Sequence, residues 1–326
     1  MEPGRSLSVS LAFFRFRMGT FDSHGIGTSV PDGSRRAKGT GSIVGLSDDV
    51  LISFLEVRSV KPSEHPQKGI LHELPFVREG KGDQPLLVVP GLTFENKTPS
   101  GMMTSIYRFL REAYTIYCVM RRPNLPEGVG LRDMADDYAN FIEREFNRSV
   151  DVIGLSTGGS IVQHLAADHP ERVRRLVIHS SAHTLSDKAK KLQLEIARLG
   201  EEGRWWQAYR MLVETVFPER GIKRTLSRPI VWLAASLMAW DKPSDAHDLV
   251  ATVKAEDQHA FKDRLGEITA PTLVIAGMAD PFYSPALFRE TASGIPGAEL
   301  VLYEGMGHPA SGKDFEGTVL RFLTRR

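Results

Sequence analysis

Ser156 sits in Gly154-Leu155-Ser156-Thr157-Gly158, at the end of the apolar run 150–155 and directly before a helix-forming segment. A serine at the tip of so tight a strand–turn–helix stands clear of the backbone, and it becomes a nucleophile toward carbonyl carbon once a base takes its proton. The same pentapeptide arises by chance, and a serine at a helix start is commonly only a cap. The pattern alone leaves both readings open, and the rest of the chain decides between them.

The chemistry needs a base, an acid to orient it, and donors for the negative oxygen that forms on attack. The base candidate is His308, in Glu304-Gly305-Met306-Gly307-His308-Pro309, and the acid candidate is Asp280, in Ala276-Gly277-Met278-Ala279-Asp280-Pro281. Taken singly, a loop histidine is commonly a surface residue and an Asp before Pro a turn former. Together with Ser156 they stand in the order Ser, Asp, His, each just past a different apolar run, and open α/β sheets bind ligands at that edge. His308 is the sole histidine after Asp280, and the corresponding segment at 179–183 offers no carboxylate. The oxyanion donors expected are the backbone N–H groups of Thr157, next after the serine, and of Leu92, just past Pro90-Gly91. The positive end of the helix starting at Thr157 adds to them.

The elements that must position these residues follow from patterning. Short continuous apolar runs at 85–90, 114–120, 150–155, 173–178, 271–276 and 299–303 predict buried strands, and helical periodicity predicts helices over 105–113, 131–146, 157–168, 285–293 and 315–323. Mixed runs at 50–60 and 70–78 predict the two strands of a hairpin. Such alternation predicts an α/β fold with a mostly parallel, doubly wound sheet covered on both faces. Between about 185 and 263 it is interrupted by segments that read as helical and carry all four tryptophans, 205, 206, 232 and 240. This stretch is expected to be an inserted helical cap over the edge that bears Ser156. Trp205, Trp206, Trp232 and Met238 are its candidate pocket residues, against the plainer reading that they pack helix to core. The expected organisation is a loosely attached arm over 1–48, rich in Gly, Ser, Thr and Asp, then core 49–184, cap 185–263 and core 264–326.

Bulk properties narrow the function classes. The 326 residues carry 41 basic and 40 acidic side chains, a net charge of +1, which gives no electrostatic basis for binding nucleic acid or an anionic membrane. The apolar stretch at 7–14 is closed by Arg15 and Arg17 and is too short to span a bilayer. The one cysteine, Cys118, excludes an intrachain disulfide and zinc-ligand spacing, which fits a cytoplasmic location. No metal or cofactor is expected; the expected partner is a small-molecule substrate, and a homodimer is compatible with the sequence. Gly307–Lys313 reads G-x-x-x-x-G-K, but Asp314 follows where a phosphate loop needs Ser or Thr. Asp133, Asp136 and Asp137 read as the solvated face of a helix rather than a cation site.

Gly91-Leu92, Gly154–Gly158, Gly277–Asp280 and Gly307-His308, with phrases such as Ala167-Asp-His-Pro-Glu-Arg-Val173, resemble the α/β-hydrolase fold superfamily in its cap-bearing serine-hydrolase branch, over about 49–326. The resemblance implies that fold and a cofactor-free enzyme cleaving an ester, thioester or lactone of a small to medium hydrophobic substrate through Ser156, His308 and Asp280. The same three residues also serve carbon–carbon bond hydrolysis, acyl transfer and perhydrolysis, and the fold also occurs as a non-catalytic ligand binder. The chain departs from the pattern in having Pro90-Gly91 where many members have His-Gly, and Arg121-Arg122-Pro123 where many have Arg-Gly-x-Gly-x-Ser. Ser156 also separates it from the epoxide-hydrolase and haloalkane-dehalogenase groups, whose nucleophile is Asp.

Overall fold

The computed structural model describes residues 66–216, 232–233 and 235–325. The arm expected over 1–48 and the strand expected at 50–60 lie outside these residues.

Eight strands form one sheet in the order β1-β2-β4-β3-β5-β6-β7-β8. They are β1 (Gln67–Leu71), β2 (Leu74–Gly80), β3 (Gln84–Val89), β4 (Tyr114–Val119), β5 (Val150–Leu155), β6 (Val173–His179), β7 (Thr272–Gly277) and β8 (Glu299–Tyr303). β2 runs antiparallel to β1 and β4, and every other pairing is parallel. The strand residues alternate between two cores, as a period of two requires. Leu87, Val89 and Val152 face one cluster with Met134, Tyr138, Phe141 and Ile142 of α2 (Leu131–Phe146) and Val162 and Leu165 of α3 (Thr157–Asp168). Leu86, Val88, Ile153 and Val177 face the other, with Phe315 and Val319 of α8 (Lys313–Thr324). Both faces of the central strands are therefore buried, which is why they read as unbroken apolar runs.

α2 begins with the Asp133 carboxylate accepting from Gly130 N at 2.8 Å and stops at Asn147, whose φ of 49° is left-handed. That pairing of acid at the start and left-handed residue at the end is what bounds a helix.

Two expected elements differ. The run 70–78 is not one strand. It is split by a two-residue turn at His72 and Glu73, with φ of 50° and 70°, so the hairpin forms inside it from β1 and β2. Such turns are usually signalled by Asn-Gly or Asp-Gly, and His-Glu carries no such signal. The helix expected at 105–113 is instead α1 (Gly101–Ser105), capped by Ser100 Oγ accepting from Met103 N, followed by a separate 3-10 turn at Arg108–Leu110.

In the stretch 185–263 the described residues hold no strand. They form α4 (Asp187–Glu201), α5 (Trp205–Val216), a helical stretch at 235–240 and α6 (His247–Asp257). The break between α4 and α5 falls at Gly203, whose φ is 69°. These helices build a third apolar cluster, with Ile196, Leu199, Trp205, Tyr209, Leu249 and Val253 closing around Phe94 from the loop after β3. Between β7 and β8 lies α7 (Pro285–Gly294), whose Phe288 and Ala292 join the cluster that α2 and α3 cover. No described helix is long and apolar enough to cross a membrane.

Candidate active site

β5 delivers Ser156 into a turn with φ 51° and ψ −122°. Non-glycine residues rarely hold such a conformation, and it persists only where neighbours over-determine it. Ser156 N donates to His179 O at 3.0 Å, and the Ser156 carbonyl accepts from Gly159 N at 2.7 Å and Ser160 N at 3.3 Å. The turn is packed so closely that a β-carbon at Gly158 would stand 2.1 Å from Val89 O. C=O and N–H of one trans peptide point in opposite directions. With the Ser156 carbonyl drawn into the helix, the Thr157 N–H is aimed the other way, and as a first-turn residue it has no acceptor within the helix.

A second peptide is oriented by the same logic. Arg121, at the end of β4 and 1% exposed, donates from Nη1 to Pro90 O at 3.2 Å and from Nη2 to Gly91 O at 3.1 Å and Thr93 Oγ1 at 2.8 Å. Pulling the Gly91 carbonyl toward Arg121 turns the Leu92 N–H to the opposite side. Gly91 lies against the serine, because a β-carbon there would stand 3.1 Å from Ser156 Cβ and 3.8 Å from its Oγ.

His308 and Asp280 meet across the ends of β8 and β7. His308 Nδ1 lies 2.7 Å from Asp280 Oδ2, and Asp280 Oδ1 accepts from Phe282 N at 2.8 Å and Tyr283 N at 3.2 Å. The Asp280 side chain is fully buried and that of His308 is 9% exposed. A buried carboxylate with all its acceptors engaged can hold one ring nitrogen of His308 and leave the other free to exchange a proton.

The loop carrying His308 is held from below. Ala310 N donates to Ser180 Oγ at 3.0 Å, while His179 Nε2 lies 2.8 Å from Ala310 O and His179 Nδ1 2.7 Å from Tyr107 Oη. A carbonyl can only accept, so Nε2 of His179 carries the proton and Nδ1 accepts from Tyr107. Burial pushes the His179 pKa down to about 3, which keeps the ring neutral as this pair of bonds requires.

Ser156, His308, Leu92 and Pro90 line one cavity of about 180 Å³, closed by Met103, Tyr107, Leu155, Gln193, Leu212, Val216 and Phe282. Asp280 stands behind His308, and Thr157 is buried at the start of α3. The four expected pocket residues do not line this cavity. Trp205, Tyr209, Leu212 and Val216 fall on one stripe of α5, and seven residues of helix span about 10 Å. Leu212 and Val216 therefore reach the cavity, and Trp205 packs two turns away, edge-on to Phe94 at 6.2 Å. Trp206 Nε1 donates to Ser236 Oγ at 3.1 Å, and Trp232 and Met238 are exposed. The pocket residues were expected from aromatic content, whereas the phase of α5 turns Leu212 and Val216 to this cavity.

Sequence reasoning assigned no role to Arg121, Tyr107, His179, Ser180 and Gln193. Arg121 entered only as a departure from the family pattern, and His179 and Ser180 only as part of a segment without a carboxylate. Gly307–Lys313, the phosphate-loop lookalike, is the loop that carries His308 into α8. Among the described residues no group of three or more His, Cys, Asp or Glu could hold a metal ion.

The sequence profile of the alpha/beta hydrolase fold matches residues 118–314, more than half of the chain and inclusive of all three of these side chains. The chain belongs to the α/β-hydrolase fold family. It is similar to polyketide synthase ThaQ of Burkholderia thailandensis, 28% identical over 262 residues, which span 76% of this chain and only 12% of that relative. It is also 25% identical over 210 residues to a Klebsiella pneumoniae protein named a carbamate hydrolase, RutD, covering 60% of this chain and 74% of the relative. Among solved structures, a hydrolase from Pseudomonas aeruginosa PA01 superposes with a TM-score of 0.62 at 22% identity, covering 81% of this chain and 100% of that one. That likeness is one of α/β-hydrolase fold, and the fold alone leaves the reaction open.

Proposed function

We propose that this α/β-hydrolase is a serine hydrolase that cleaves an ester, thioester or lactone through an acyl-enzyme. The 2.7 Å pairing of His308 Nδ1 with the buried Asp280 carboxylate, beside a cavity shared by His308 and Ser156, carries the reading. Ser156 Oγ attacks the carbonyl carbon as His308 Nε2 takes its proton. The negative oxygen is met by the N–H groups of Leu92 and Thr157 at the positive end of α3. His308 then returns the proton to the departing alcohol, thiol or ring oxygen. Water, deprotonated by the same nitrogen, releases the acid and restores Ser156. Asp280 holds the imidazole in the tautomer with Nδ1 protonated and stabilises its cation.

The lining supports a hydrophobic acyl group, since Leu92, Met103, Leu155, Leu212, Val216 and Phe282 contribute to it and Gln193 and His308 are its polar side chains beside Ser156 and Tyr107. Residues 185–263 act as the cap in this reading, because Gln193, Leu212 and Val216 reach the cavity from α4 and α5. The similarity to RutD supports carbamates as a second candidate class, since the same attack on carbonyl carbon would cleave them. The lone thiol, Cys118, buried and held up at about 12 by desolvation, supports a cytoplasmic location.

Ser156→Ala assayed against p-nitrophenyl acetate, butyrate and octanoate tests the reading. Loss of turnover by a factor of about 10³ or more, with loss of fluorophosphonate labelling, is expected. Turnover retained by the variant would overturn it.

A further inference from the structure

Glu256, at the end of α6, is a carboxyl with no exposed surface at all, set under the first turn of α3. Thr157 Oγ1 donates to its Oε2 at 2.6 Å and Ser160 Oγ to its Oε1 at 3.1 Å, with Tyr283 Oη 3.5 Å from Oε1. The Gln193 side chain of α4 and the Arg121 guanidinium also favour its charged form. Burial pushes the Glu256 carboxyl up, and the Thr157, Ser160 and Gln193 donors and the Arg121 charge pull the other way.

Packing does not account for this carboxyl. Replacing a buried ionisable group by an apolar one of similar size is often neutral or stabilising, and α6 already contributes Leu249 and Val253 to the apolar cluster under it. What the carboxyl does locally is clamp one face of α3. Thr157 and Ser160 are three residues apart, so their side chains lie on the same face of the first turn. ψ of Ser156 is the torsion that aims the Thr157 N–H, and at −122° it is held on one side by the bonds to the Ser156 carbonyl. On the other side, the Thr157–Glu256 bond fixes the residue that bears the N–H.

We propose that Glu256 is a positioning residue that holds the Thr157 N–H on the oxyanion by anchoring the Thr157 side chain. This role rests on the serine-hydrolase reading above and adds to it a residue from outside the sheet. A strained peptide left free to rotate would still bind substrate, yet it would meet the tetrahedral oxygen less well. The loss falls on kcat rather than KM, because the interaction is made in the transition state alone.

The test uses a peptide-free alkyl trifluoromethyl ketone, which adds to Ser156 Oγ as a hemiketal whose oxyanion is followed by fluorine NMR across pH. Three variants are compared with the unmodified protein: Thr157→Val, which keeps the branched shape and removes the hydroxyl, Glu256→Leu, and Glu256→Gln, which keeps an acceptor oxygen for Thr157. In the first two, kcat for p-nitrophenyl butyrate is expected to fall about tenfold or more with KM within about twofold, a fraction of the loss from deleting a whole donor. Their hemiketal oxyanion is expected to titrate about one pH unit higher or more, matching that tenfold. Glu256→Gln recovers most of both. If Glu256→Leu does not fold, Thr157→Val carries the comparison. A hemiketal that forms in Thr157→Val and titrates where the unmodified protein does overturns the role of Glu256 while the serine-hydrolase reading stands. Failure of the unmodified protein to form the hemiketal overturns both.

Discussion

Arg121 donates to the carbonyl oxygen of Gly91 at 3.1 Å from a position that is 1% exposed. The guanidinium holds two consecutive carbonyls and the Thr93 hydroxyl in one fork, and a lysine ammonium cannot reproduce that spread of donors. Arg121→Met leaves Pro90 O and Gly91 O without their donor, at about 1–3 kcal/mol for each unsatisfied buried group. The expected outcome is a loss of about 3 kcal/mol in urea unfolding for Arg121→Met. In both Arg121→Met and Arg121→Lys, kcat/KM for p-nitrophenyl butyrate should fall about tenfold or more. Activity unchanged in folded Arg121→Lys would show that charge alone suffices behind this turn.

Asp280→Asn keeps the shape of the acid and changes what it can accept. The amide can present an N–H to His308 Nδ1, which favours the tautomer with the proton on the nitrogen that must act as base. Turnover is expected to fall by about 10³–10⁴, the size seen when an orienting carboxylate is lost from such a constellation. Fluorophosphonate labelling of Ser156, followed over time, should slow in parallel, while unfolding in urea changes far less than activity.

The central strands, the elbow and the order of Ser156, Asp280 and His308 were legible because each depends on local pattern. A strand buried on both faces is apolar throughout, and a serine at a tight turn needs small neighbours. What escaped was set by distance in sequence. Glu256 reaches Thr157 across 99 residues and His179 reaches Ala310 across 131, and neither contact leaves a local signature. The hairpin turn at His72-Glu73 escaped for another reason, since its left-handed residues are not the usual turn formers. The cavity lining escaped because Trp205 and Leu212 share a helical face, and which of the two meets Ser156 depends on where α5 starts against the sheet.

Asp151 offers a contrast with the site residues. It lies at the opposite end of β5 from Ser156, fully buried, and accepts from Arg174 Nε at 2.8 Å and Tyr114 Oη at 2.8 Å. Asp151→Ala strands the Arg174 guanidinium, while Tyr114 Oη keeps the Leu323 carbonyl as acceptor at 2.7 Å; breaking such a pair costs about 3–5 kcal/mol when it is buried. Arg174 is partly exposed, so the lower end of that range is expected in urea unfolding. The catalytic constants of the fraction still folded should stay close to those of the unmodified protein, because no contact of Asp151 reaches the Ser156 cavity.

Stability should fall steeply on mild acidification, and buried histidines are the cause. Burial lowers the pKa of His179 to about 3, of His259 to about 3 and of His164 to about 4. In the unfolded chain each returns to about 6.5, so between these values the unfolded state binds more protons and stability rises with pH. Their contribution is therefore complete above about pH 6.5 and is lost progressively as pH falls toward the folded values. From pH 7 to pH 5 each histidine removes about 2 kcal/mol, at about 1.4 kcal/mol per pH unit. Glu256 titrates in the opposite sense, since a carboxyl raised by burial disfavours the fold when ionised and recovers as it is protonated, and it offsets part of this loss. Unfolding free energies from urea titrations at pH 7, 6 and 5 should drop by several kcal/mol in total, at about 2 kcal/mol for each histidine. His259→Gln, which places a neutral amide beside His164 and Phe261, should flatten the slope without moving the positions of the other two histidines. A slope that is the same in His259→Gln as in the unmodified protein would place the acid sensitivity elsewhere in the fold.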